Sequence, residues 1–101
     1  MNTVNRTTTF SQWHANLKDL KARARIIVRI RQAEQGNFGD TEPVGEGVFE
    51  MRIHFGPGYR VYFAREGRVV YLLLSGGDKS TQQRDIKAAI KMWQQIQTER
   101  S

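Results

Sequence analysis

Two periodicities divide this chain. In its first third, apolar residues recur at helical spacing: Phe10, Trp13, Leu17 and Leu20, then Ile26, Ile27, Ile30 and Ala33. Thr9 with Gln12 fits a capping box for the first of these helices. The second is expected over Ala22 to Gln35, with Gly36-Asn37 as its stop. Few residues separate the two, so the spacing predicts an antiparallel helical hairpin. The stretch before them, residues 3–9, is rich in threonine and fits an extended edge strand. Residues 37–47, with Gly39-Asp40 and Pro43 as turn formers, read as a loop.

The period then changes to two. Phe49, Met51, Ile53 and Phe55 alternate with Val48, Glu50, Arg52 and His54. Gly56-Pro57-Gly58 turns the chain, and Tyr59, Val61 and Phe63 alternate with Arg60, Tyr62 and Ala64. After a turn at Glu66-Gly67, Val69 to Leu74 is apolar on both faces, as a central strand is. A last helix is expected from about Thr81 to Gln97, capped by Ser80 with Gln83 and buried along Ile86, Ala89, Ile90, Trp93 and Ile96. Residues 98–101 are expected to fray. The pattern predicts one α+β domain over residues 1–101, with an antiparallel sheet.

Composition narrows the function classes. The 101 residues carry a formal net charge of +6 and are 39% hydrophobic, which suits a folded domain with an anionic partner. There is no cysteine, which excludes disulfides, and with two histidines a metal site is not expected. His14 is assigned no role. The longest apolar run falls far short of the roughly 20 residues that span a bilayer. The first residues show no secretory core, so a cytoplasmic protein is expected and the acceptor pattern Asn5-Arg6-Thr7 is read as chance.

Three features carry candidate chemistry. If Phe55 pairs with Tyr59 across the turn, His54 faces Arg60 and Arg52 faces Tyr62, each pair roughly 5 Å apart. Glu50, Arg52, His54, Arg60 and Tyr62 then share one solvent-facing patch with an excess of cations, suited to phosphate. On that reading Arg60→Ala spares the fold. The second feature is Gly76-Gly77-Asp78-Lys79-Ser80, read as a loop that brings Lys79 to a helix N-terminus. It lacks the first glycine of a P-loop, so nucleotide hydrolysis is not expected. The third is the basic run Lys18, Lys21, Arg23, Arg25, Arg29 and Arg31, suited to a nucleic-acid backbone. Each also has a plain reading: a solvated sheet face, a glycine turn with a helix cap, and a solvated helical face.

As a set, Phe10…Trp13…Leu17, Gly36-Asn37-Phe38-Gly39-Asp40, Gly45-Glu46-Gly47-Val48, Glu50-Met51-Arg52, Gly58-Tyr59-Arg60-Val61-Tyr62 and Gly77-Asp78-Lys79-Ser80 resemble the RelE/ParE toxin superfamily. The resemblance is closest to its HigB-type addiction-module killer branch and covers roughly Phe10 to Ile96. It implies an N-terminal helical hairpin and a C-terminal helix packed on a twisted antiparallel sheet. It also implies the toxin of a bacterial type II toxin–antitoxin system, a metal-independent endoribonuclease that cuts messenger RNA in the ribosome without a cofactor. Its partners would be a cognate antitoxin protein, the ribosome and messenger RNA, and no membrane. Arg60 matches a functional arginine of such toxins, and Lys79 falls in a loop where they carry basic catalytic residues. Arg52 is a further candidate cation and His54 a candidate acid or base. Lys18, Lys21, Arg23, Arg25, Arg29, Tyr62 and Asp78 are the candidate nucleic-acid contacts. One departure is plain: RelE-like toxins carry a tyrosine after the loop, where this chain reads Thr81-Gln82-Gln83-Arg84-Asp85. Tyr62 or Asp85 is then the candidate substitute. Two other readings stay open: a ParE-like inhibitor of DNA gyrase, and a basic interaction domain without toxicity.

Overall fold

The computed structural model describes residues 1–100. It is a mixed α+β protein with a five-stranded sheet and three helices: β1 (Thr3–Arg6), α1 (Thr8–Ala15), α2 (Leu20–Glu34), β2 (Thr41–Gly45), β3 (Val48–Ile53), β4 (Tyr59–Arg65), β5 (Val70–Asp78) and α3 (Gln82–Arg100). The strand order is β1-β5-β4-β3-β2. The first element is therefore a strand, and β1 joins β5 in parallel while every other pairing is antiparallel.

Local chemistry fixes the ends of the helices. Thr7, not Thr9, caps α1: its Oγ1 accepts the Phe10 N–H at 3.0 Å and donates to the Leu74 carbonyl at 2.7 Å. The second bond ties the cap to β5. Asp19 caps α2 by accepting the Lys21 and Ala22 N–H groups, so this helix begins at Leu20, two residues earlier than its apolar stripe predicts. Leu17 and Leu20 consequently lie outside α1, and Leu20 is 71% exposed. Gly36, at φ +94°, ends α2 where expected.

The sheet has a helix layer on each face. Phe10, Ile26, Ile30 and Ala33 of α1 and α2 pack with Met51, Ile53, Val61, Phe63 and Leu73 on one side. Ala89 and Trp93 of α3 pack with Val48, Tyr62, Ala64, Leu72 and Leu74 on the other. The face expected to meet solvent is thus covered in part by α3.

Two segments read as loops are strands. Thr41–Gly45 forms the outer edge β2, where Pro43 is tolerated because an edge residue can do without its N–H. Gly76-Gly77-Asp78 continues β5, opposite Val61, Arg60 and Tyr59. The glycines serve close approach rather than a turn. A Cβ on Gly76 would lie 2.2 Å from the Trp13 ring, and one on Gly77 would lie 2.0 Å from Asp85 Oδ2. Lys79–Thr81 is a short 3-10 turn, and α3 runs on to Arg100 rather than fraying at 98, with Arg100 paired to Glu66.

Candidate functional site

The β3–β4 register differs by two residues from the expected one. Ile53, not Phe55, pairs with Tyr59, so Arg52 faces Arg60 and Glu50 faces Tyr62. The turn takes in His54 and Phe55 as well as the glycines, closed by N–H bonds from Phe55 to the Ile53 carbonyl and from Gly58 to the Phe55 carbonyl. A shift of two preserves the faces, so the polar residues still share one side, but His54 leaves the strand.

Glu50 organises that side. It is fully buried, on the α3 face of the sheet. Its carboxylate accepts from Gln82 Nε2 at 2.8 Å, Arg52 Nε at 3.1 Å, Arg60 Nη1 at 3.3 Å and the Tyr62 hydroxyl at 3.3 Å. A buried carboxylate requires such donors. Arg52 reaches out from it to Glu42 at 2.7 Å and to Asp40 at 4.0 Å. The bond to Glu50, first among several acidic contacts, holds the Arg52 guanidinium above its usual pKa. The expected excess of cation over carboxylate is therefore absent around Arg52. Sequence reasoning missed Asp40, Glu42 and Gln82 because the first two sat in a supposed loop and nothing local ties the third to a strand.

Several expected roles change with burial. Arg60 has only 11% of its side chain exposed, so Arg60→Ala is not a neutral surface change. Tyr62 is wholly buried and offers no face to a nucleic acid. Burial, then the Glu50 and Asp85 charges, push its pKa well above the ordinary tyrosine value, which makes it a poor stand-in for the absent tyrosine. Asp85 accepts a 2.6 Å bond from Thr81 Oγ1 and lies against Gly77. Asp78 caps the 3-10 turn ahead of α3 by accepting from the Ser80 hydroxyl and the Ser80 N–H, and these bonds, the hydroxyl's first, hold its carboxyl below the usual range. Asp78 is thus a cap rather than an anion contact.

The basic run separates into distinct surfaces. Arg29 donates to the carbonyls of Arg52, Phe38 and Asp40, clamping the 38–40 segment to the end of β3, and burial lowers its pKa. It is a structural clamp. Arg23 is half-buried, and its carbonyl bonds His14 Nε2 at 3.1 Å. Lys18, Lys21 and Arg25 are exposed, and the Arg25 guanidinium lies 4.4 Å from the centre of the Phe55 ring.

What the structure brings together is a groove of about 420 Å³ around the 56–58 turn, lined by His54, Phe55, Arg60 and Lys79. A Cβ on Gly58 would touch Lys79 Cβ at 3.5 Å, so the turn and the 3-10 segment form one wall. Arg60 Nε, buried here, has no hydrogen-bond partner. Lys79 is exposed, and His54 is 74% exposed with Nε2 held by Asp40 Oδ2 at 2.6 Å. That bond, the largest of several influences, keeps the Asp40 carboxyl below its usual range. A carboxylate on one ring nitrogen orients the imidazole and leaves the other to exchange a proton. Among the described residues no group of three or more acidic or histidine side chains is placed to hold a metal ion. No described helix is long and apolar enough to cross a membrane.

An uncharacterized protein of Haemophilus influenzae is similar to this chain, with 47% identity over 93 residues, covering 92% of this chain and 94% of that protein. No solved structure matches. The family model described as Phage derived protein Gp49-like (DUF891) matches residues 15–96. With that match running from α1 to α3, the chain belongs to the Gp49-like family of phage-derived proteins.

Proposed function

We propose that this protein is the toxin of a type II toxin–antitoxin pair, with the HigB-type RelE/ParE character its motifs resemble, and that it cleaves messenger RNA on the ribosome. The observation that carries the reading is the groove where Arg60, Lys79 and the Asp40-bound His54 meet. In that groove the ribose 2′-oxygen attacks the adjacent phosphorus and gives its proton to His54. The P–O5′ bond breaks, leaving a 2′,3′-cyclic phosphate, and the 5′-oxygen takes a proton from the imidazolium or from Lys79. Arg60, braced by Glu50, and Lys79 offset the charge that grows on the phosphorane oxygens. Arg52 acts at one remove, holding Glu50 in place. The chemistry requires no metal and no cofactor.

The partner is an acidic antitoxin, acting in the bacterial cytoplasm. The net charge of +6 supports this, as do two exposed apolar residues on the basic helix α2, Leu20 at 71% and Val28 at 53%.

A second reading, inhibition of DNA gyrase without catalysis, is favoured by two facts: Tyr62 is buried, and Arg52 is matched by carboxylates. Induced expression separates the two. The nuclease reading expects labelled methionine incorporation to stop within minutes while plasmid supercoiling is unchanged, and expects the product of the adjacent reading frame to restore growth. Relaxed plasmid with translation continuing would contradict it.

A further inference from the structure

Beside the groove lies a second hollow of about 340 Å³ between α2 and the end of β3, lined by Arg25, Val28, Arg29, Gln32, Ile53 and His54. His54 belongs to both walls, so the two hollows adjoin at this residue. We propose that this second hollow is a subsite for one unpaired nucleobase of the RNA, stacked on the Arg25–Phe55 pair and read by Gln32. The inference rests on the RNA reading above and specifies which part of the chain holds the nucleotide next to the cut.

Each wall contributes a different property. The Arg25 guanidinium lies over the Phe55 ring, 4.4 Å from its centre, while Arg25 itself is exposed. A guanidinium held this way presents its other flat face to a base, the arrangement by which single-stranded RNA is gripped. Arg29 is fixed in another task, because its Nη1 and Nη2 donate to the carbonyls of Arg52, Phe38 and Asp40. It makes the wall rigid. Val28 and Ile53 give the apolar floor that a base needs. Gln32 is the one amide in the wall, with a donor and an acceptor that match a base edge. A base seated there would have its sugar–phosphate at His54, where the Arg60–Lys79 groove begins.

The test is fluorescence anisotropy of the purified full chain with short 2′-O-methyl RNAs, whose blocked nucleophile prevents cleavage, in four versions differing at one base. Arg25→Ala and Phe55→Leu are expected to weaken binding about tenfold, the usual loss of one stacked base. Phe55→Leu changes no charge, so its salt dependence should match the wild type. Gln32→Ala should alter the ranking of the four bases without a uniform loss. The subsite is overturned if Arg25→Ala and Phe55→Leu bind like the wild type while Lys79→Ala binds more weakly, or if the wild type binds none of these RNAs. Failure of the nuclease reading looks different: the binding pattern persists, but an unmodified message stays uncut in a translation system.

Discussion

Replacing Glu50 by glutamine removes one negative charge and leaves Arg52 and Arg60 facing each other across β3 and β4. Arg60 is nearly buried and Glu50 fully so, and an uncompensated buried charge is costly. Allowing for the partial exposure of Arg52, Glu50→Gln is expected to destabilise by about 3 kcal/mol, read as a lower urea midpoint with an unchanged slope. An unchanged midpoint would show that the network carries no stability. Tyr62 gives a second prediction, and its sign follows from linkage. The native state holds the phenol proton above the ordinary value of 10.0, so the unfolded chain loses that proton first as pH rises. The stability contributed by neutral Tyr62 is present below about pH 10 and is lost above it. Tyr62→Phe should flatten the alkaline fall in thermal midpoint, and an equally steep fall in the variant would contradict the assignment.

At the scale of elements, the sequence shows faces better than partners. The alternation of Met51 and Ile53 with Glu50 and Arg52 sets which side of β3 is apolar, and a register shift of two leaves that intact. The shift itself was illegible, because Gly56-Pro57-Gly58 fits both a short turn and the longer one that includes His54. Gly76-Gly77 misled for a related reason. Glycine marks turns, but it also marks places where another chain segment comes close, and only the packed Trp13 ring and Asp85 separate the two cases. The stripe Ile86, Ala89, Ile90, Trp93 and Ile96 announced a buried helix face. It could not say that α3 would lie over the polar side of β3 and bury Glu50 and Tyr62. The close approach is testable. Gly76→Ala should lower stability by about 1–3 kcal/mol, because a rigid ring edge must move, and Trp13 fluorescence should change with it. A neutral Gly76→Ala would mean that Trp13 is not seated on β5.

For the whole molecule, the charge is less one-sided than the total of +6 suggests. Arg52 and Arg29 are engaged internally, and Arg60 is held by Glu50. Exposed cations remain on two sides of His54, with Lys79 at the end of β5 and Arg25 on α2. That separation lets chemistry be tested without disturbing the fold, which Arg60→Ala would not. The most direct measurement is primer extension on a defined message in a purified translation system, with and without ribosomes. It should compare wild type with His54→Ala and Lys79→Ala, both exposed, and with Arg60→Lys, which keeps a cation beside Glu50. Cuts that require ribosomes and fall at least about a hundredfold in all three variants are the predicted result. A message left intact by the wild type, or cut equally by His54→Ala and Lys79→Ala, would contradict the account.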